Sequence, residues 1–332
     1  MIAVVLALVT ACAGHPQPPA VKPPAVKPTT RDTPSARPVT STPSPAVVVG
    51  VPGHYQVGDR QLTFLEPAHT GPTGQYLGQR TLATTVWYPL AGSQPAQGPF
   101  PLLIFAPGFM LCSGAYWPLL QAWASAGYVV AAVNFPRTDC HTAADEADLV
   151  NQPRDMSYVI SRLLDLSAQP HDLFSGLLDP HEIAAAGHSD GGDTVAALAA
   201  NGCCTDHRLT AVAVLSGAEW SPMPGRYFPH GASGTPPMLF VQGSADTINP
   251  PWTSLLLYHA DGARARYYLD LFGVDHMTPY VGTNRVERLV ARVTLAFFNR
   301  YVLGQAGAHA TMTRDGNVSG TAALVSGGES PP

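Results

Sequence analysis

Gly187-His188-Ser189-Asp190-Gly191 is the stretch whose reading decides the fold. It fits G-x-S-x-G. It follows Glu182-Ile183-Ala184-Ala185-Ala186, a run with the character of a buried strand, and precedes an alanine-rich helical stretch, Gly192 to Ala200. Strand, Gly-flanked turn and helix are the context of a nucleophile elbow. Such a turn strains the serine backbone, so the flanking residues must be small. It also lifts the hydroxyl out of the sheet, next to a helix N-terminus that favours developing negative charge. Ser189 is therefore the expected nucleophile.

A serine hydroxyl needs a base, and the base needs an acid to orient it. After an elbow the partners are expected in the order Ser, Asp or Glu, His, each at the carboxyl end of a later strand. Gly243-Ser244-Ala245-Asp246 follows an apolar run ending at Gln242, and Gly273-Val274-Asp275-His276 follows one ending near Leu271. Asp246 is the expected acid and His276 the expected base. Asp275 is the rival acid, but neighbouring side chains on an extended loop diverge. His188 is expected to point into structure and support the elbow. A tetrahedral intermediate needs two donors for its oxyanion. The backbone N–H of Asp190 is one candidate. The N–H of Phe109, in Pro107-Gly108-Phe109-Met110 after the Pro101–Ala106 run, is the other.

Around these motifs, strand-like and helix-like segments alternate. Strand patterns cover 81–88, 101–106, 128–133, 182–186, 209–215, 238–242 and 266–271. In 155–166, Met156, Val159, Ile160, Leu163 and Leu164 recur at helical spacing, and a closing helix is expected over about 284–301. Apolar strands without alternation, separated by helices, imply an α/β fold with a mostly parallel sheet covered on both faces. Segments 55–65 and 81–90 are expected as an antiparallel edge.

The motifs together resemble an α/β-hydrolase: Ala106-Pro107-Gly108-Phe109, Gly187 to Gly192, Gly243-Ser244-Ala245-Asp246-Thr247-Ile248-Asn249-Pro250, and His276. Arg154-Asp155-Met156-Ser157-Tyr158-Val159-Ile160 resembles the helix before the nucleophile strand in that group. The resemblance is to bacterial cutinase-like enzymes, including poly(ethylene terephthalate) hydrolases, and to chlorophyllase-like, dienelactone-hydrolase-like and platelet-activating-factor-acetylhydrolase-like proteins. It covers about 51–304. It implies ester hydrolysis through an acyl-enzyme, without metal or cofactor, in a cleft without a large lid. It also implies that Phe109 and Trp220, in Ser216-Gly217-Ala218-Glu219-Trp220, flank the substrate. Two positions depart from it. Asp190 stands where cutinase-like enzymes carry Met, which disfavours an apolar polymer substrate. Ser189 stands where dienelactone hydrolases proper carry Cys. Acyl transfer to a cell-envelope alcohol, and a non-catalytic binding lipoprotein with this fold, are the alternatives to hydrolysis.

The chain has 332 residues, 45% of them hydrophobic, and a formal charge of −5, which gives no reason to expect a nucleic-acid partner. Residues 1–11 are expected to be an export signal ending in a lipobox-like Val9-Thr10-Ala11-Cys12, with Cys12 lipidated, although no Lys or Arg precedes the apolar run. Membrane attachment is expected only through that anchor, with the protein a monomer in the bacterial cell envelope or secreted. Residues 12–50 are expected to be a proline-rich, disordered linker, with ten prolines between Pro16 and Pro45 and two copies of Pro-Pro-Ala-Val-Lys. The catalytic domain is expected over 51–304 and a disordered Gly/Ser-rich tail over 305–332. Beside Cys12 the chain has Cys112, Cys140, Cys203 and Cys204. An exported chain with an even number favours disulfides. Cys112–Cys140 is the preferred bridge, at the rim of the cleft. Cys203 and Cys204 are open to a vicinal pair, free thiols or cross-links to the first two. Zinc is a poor alternative, since no CxxC pairs occur.

Overall fold

The computed structural model describes residues 47–327, apart from 230–233 and 264. The expected signal segment, Cys12 and the linker up to residue 46 lie outside the described residues. In chain order the strands are β1 (Gln56–Glu66), β2 (His69–Thr70), β3 (Tyr76–Leu77), β4 (Arg80–Ala91), β5 (Gln94–Pro95), β6 (Phe100–Ala106), β7 (Val129–Asn134), β8 (Leu178–His188), β9 (Leu209–Leu215), β10 (Met238–Gly243), β11 (Arg266–Leu271) and β12 (Ala322–Ser326). The helices are α1 (Trp117–Ser125), α2 (Gln152–Ala168), α3 (Asp190–Ala200), α4 (Pro251–Ala260), α5 (Arg285–Tyr301) and α6 (Ala308–Gly316).

The main sheet runs β1-β4-β7-β6-β8-β9-β10-β11-β12, with β5 beside β4. Pairing is parallel from β7 through β11 and antiparallel at both ends, β1·β4·β7 on one side and β11·β12 on the other. Successive strand residues enter opposite cores, as the pleat demands. Leu102 and Ile104 of β6 face the side covered by α2, α3 and α4. Leu103 and Phe105 face the side covered by α1, α5 and α6. Both faces are apolar because both are covered, which is why the strands lack polar alternation. Trp123 of α1 is fully buried against α5, and its indole N–H donates to Thr294 Oγ1 at 3.0 Å.

A buried ion cluster ties β4 to α2, and a side-chain cap fixes the start of α5. Arg80, at the start of β4, donates to Asp155 of α2 through Nε and Nη2 (2.7 Å each). It donates to Asp148, just before α2, through Nη1 (2.9 Å) and Nη2 (2.7 Å). Asn284 caps α5, its Oδ1 accepting from the N–H groups of Val286 (2.8 Å) and Glu287 (2.9 Å).

The domain boundaries expected from sequence need correction at both ends. The fold takes in residues before 51: Val47 and Val49 pack against the core, and Gly50 exchanges bonds with Ala126 O (2.7 Å) and Asn299 Nδ2 (2.9 Å). The segment expected as a disordered tail forms α6 and β12. Its Gly and Ser content obscures a period-2 pattern: Ala322 and Leu324 face one core and Val325 the other. β12 satisfies the backbone groups on the open side of β11, and Met312 of α6 is fully buried. Gly316 permits the contact, since a Cβ there would stand 2.9 Å from Leu324 Cβ.

Candidate active site

Ser189 sits between β8 and α3 with φ 56° and ψ −125°, in the left-handed half of conformational space that side chains avoid. The surrounding glycines explain how the turn closes. A Cβ on Gly187 would meet Gly191 O, and one on Gly191 would meet Ala106 O. A Cβ on Gly192 would lie 2.8 Å from Gly217 Cα. Strain held in place by packing on three sides is the mark of a preorganised functional residue.

The oxyanion-loop candidate lies directly against this turn. A Cβ on Gly108 would stand 3.1 Å from Ser189 Cβ and 3.2 Å from His188 O, so a side chain here would crowd the serine turn. Phe109 is half-buried, and Met110 has φ 57°, anchored by its N–H to Thr138 O at 2.8 Å. The neighbouring Cys112 and Cys140 sit at disulfide distance with Cα atoms 5.2 Å apart, and Cys203 and Cys204 form a vicinal pair at bonding distance.

His276 Nδ1 lies 2.7 Å from Asp246 Oδ2, and both side chains are buried. Asp246 Oδ1 accepts from the N–H groups of Ile248 and Asn249 (2.9 Å each), and Oδ2 also accepts from Gln242 Nε2 at 2.9 Å. Burial raises the Asp246 carboxyl, but the bonds from His276, Asn249 and Ile248 outweigh it and hold it below the usual carboxylate range. A Cβ on Gly243 would run into Val274 O, so the Asp246 and His276 loops touch through a glycine. Asp275 turns elsewhere. Its carboxylate accepts from Met277 N (2.9 Å), Thr278 N (2.8 Å) and Thr278 Oγ1 (3.0 Å). Gln242 was not singled out in the sequence; its signal is only a polar residue at the buried end of an apolar strand. Among the described residues, Ser189 Oγ donates no hydrogen bond to His276. Triad bonds are commonly loose without substrate.

His188 is fully buried and forms the centre of a chain of bonds. Gly108 N–H donates to Tyr116 Oη (2.9 Å), Tyr116 Oη contacts His188 Nδ1 (2.8 Å), and His188 Nε2 contacts His276 O (3.0 Å). A carbonyl only accepts, so His188 carries its proton on Nε2, and the tyrosine hydroxyl donates to Nδ1. Burial first, and then the nearby His276, push His188 down to about 3, so it stays neutral. Tyr280 stacks at 4.6 Å from the His188 ring, its hydroxyl donating to Val241 O at 3.0 Å.

Asp190 is the unusual member. Burial, reinforced by the charge of Glu146, pushes its carboxyl up to about 6. One carboxylate oxygen is buried without a hydrogen-bond partner, while contact with its own backbone N–H draws the pKa back down. That N–H is the expected oxyanion donor, so the side chain competes for it. Asp193, one turn on, accepts from Ala218 N and ties α3 to the loop after β9. Trp220 lies on that loop, packed at the edge of the α2–α3 core.

Residues 78–222 match the family model described as Chlorophyllase, an α/β-hydrolase-type family. The match runs from before β4 to beyond β9, so it includes the Phe109 loop and the Ser189 elbow but neither Asp246 nor His276. No curated protein matches the chain. The sheet order and the strained serine turn are those of an α/β-hydrolase fold, and over residues 78–222 the chain is similar to chlorophyllases, a family of broadly esterase-type hydrolases.

Proposed function

We propose that this protein is a serine carboxylic-ester hydrolase with Ser189, His276 and Asp246 as its triad, acting on esters of small or medium acyl chains. Ser189 Oγ attacks the ester carbonyl while His276 Nε2 takes its proton. The N–H groups of Phe109 and Asp190 receive the oxyanion. The tetrahedral intermediate collapses, the alcohol leaves with the proton from His276, and the acyl group stays on Ser189. Water, deprotonated by His276, then attacks the acyl-enzyme and releases the acid. Asp246 holds the imidazole through Nδ1 and stabilises it when it is charged. The observation that carries this reading is the 2.7 Å contact between His276 and a carboxylate held ionised by three further donors.

Phe109 and Trp220 are proposed to flank the substrate. Work outside the cytoplasm is part of the proposal, supported by Cys112 and Cys140 at disulfide distance. Hydrolysis of p-nitrophenyl acetate, butyrate and decanoate by wild type and Ser189→Ala tests the reading. Turnover by wild type, abolished in the variant, is expected, with acetate or butyrate preferred. Equal turnover by the two proteins removes Ser189 from the mechanism.

A further inference from the structure

A cavity of about 610 Å³ lies on the α1 side of the sheet, lined among others by Asp59, Gln61, Trp87, Trp117, Asn134 and His141. Its floor follows from strand register. Asp59 pairs with Trp87 and Gln61 with Thr85, while Asn134 pairs with Ala83. Residues directly opposite, and those two apart on one strand, share a face of the sheet. Trp117, the first residue of α1, is 37% exposed, and its ring lies 5.8 Å from that of Trp87.

The polar groups are oriented in advance. Thr85 Oγ1 donates to Gln61 Oε1 at 3.0 Å, and the Ser113 N–H donates to Asn134 Oδ1 at 2.9 Å. Both amide oxygens are thus engaged, which leaves both amide NH₂ groups as donors for a ligand. Asp59, exposed, supplies a carboxylate acceptor, and neither Lys nor Arg lines the cavity.

We propose that this cavity binds a neutral saccharide ring. An indole face covers the C–H side of such a ring, the two NH₂ groups donate to hydroxyl oxygens, and Asp59 accepts from hydroxyl protons. An anion would find neither a Lys nor an Arg among the described lining residues. A quaternary ammonium would suit Trp117 and Asp59 but would leave both NH₂ donors unanswered, and an alkyl chain would leave all three polar groups so. Asn134 ends β7, and Ser113 follows the Phe109 loop, so this rim of the cavity lies at the same end of the parallel strands as Ser189. In the sheet, β8 and β4 stand three strand spacings apart, about 14 Å. The saccharide is then the alcohol side of the ester. That link rests on the esterase reading; the binding does not.

The test uses the Ser189→Ala chain, titrated with cellobiose, maltose and xylobiose and read by tryptophan fluorescence and indole N–H NMR signals. Saturable binding of at least one disaccharide, with a Kd of about 1 mM, is expected. Trp117→Ala should weaken it about tenfold or more. Gln61→Glu, which exchanges a donor for an acceptor at the surface, should weaken it about fivefold. The titration uses a chain without Ser189, so a failed titration leaves the esterase reading standing, and p-nitrophenyl butyrate turnover by the wild-type chain tests that reading by itself. No saturation by about 50 mM, binding indifferent to Trp117→Ala, or tighter binding of choline would each overturn the proposal.

Discussion

His188 Nε2 donates to the main-chain oxygen of His276 across 3.0 Å, so the residue before Ser189 holds the loop that carries His276. The same ring accepts from Tyr116, which in turn holds Gly108. The Ser189 turn, the His276 loop and the Gly108–Phe109 loop therefore share one buried set of hydrogen bonds. Tyr116→Phe leaves Gly108 N–H and His188 Nδ1 without a partner, a loss of about 1–3 kcal/mol in stability. The loops it joins should also loosen. We expect kcat to fall about tenfold with KM nearly constant, because the interactions lost act on the transition state. Steady-state kinetics beside urea unfolding checks both.

Asp246→Asn should fold, since the amide keeps the shape, but it should lower kcat by about 10³–10⁴ by offering His276 the wrong hydrogen-bond partner. Asp275→Asn should change kcat less than about threefold, because Asp275 serves only its own turn. Measuring the two side by side distinguishes the neighbouring carboxylates.

Asp190 gives a pH-dependent effect of definite sign. Its folded pKa is raised to about 6, so the native state binds the proton more tightly than the unfolded chain does. Stability contributed by this group is full below pH 4 and declines as pH rises toward 6. Asp190→Asn should therefore stabilise the protein by about 1–3 kcal/mol at pH 8 and by nearly nothing at pH 4. It should also raise kcat several-fold above pH 6, because a negative charge no longer faces the oxyanion or claims the Asp190 N–H. Denaturant midpoints and pH–rate profiles of the two proteins report these effects.

Arg80→Met leaves Asp148 and Asp155 buried without their cation, which costs about 3–5 kcal/mol. Replacing all three with apolar residues should recover much of that loss. Thermal unfolding of the single and triple variants checks the asymmetry.

Truncation after Gly304 removes α6 and β12 and uncovers the open side of β11. A shorter chain is expected to lose several degrees in Tm and to aggregate on heating, as exposed strand edges do. A Tm unchanged by the truncation would assign the segment no structural role.

What was legible from sequence follows a physical pattern. The Ser189 elbow, the Asp246 and His276 loops and the central strands announce themselves through short-range chemistry: small residues at a strained turn, and apolar runs long enough to cross a sheet. The Arg80 cluster was invisible because its members lie 68 and 75 residues apart, and no local pattern marks a buried ion pair. Gln242 and Tyr116 were hidden for the same reason. The C-terminal segment misled because small and polar residues dominate its composition, whereas its place is decided by a few apolar side chains and the edge of β11 that they bring β12 to cover. His188 was expected to support the elbow, yet its bond to the His276 loop depends on two segments 88 residues apart.

The central claim is that Ser189 is a nucleophile activated by His276. Incubating the folded protein with a fluorophosphonate and mapping the adduct by peptide mass spectrometry tests it most directly. The account predicts stoichiometric labelling of Ser189 and labelling slowed by orders of magnitude in His276→Ala. A folded wild-type protein that stays unlabelled, or carries the adduct elsewhere, would contradict it.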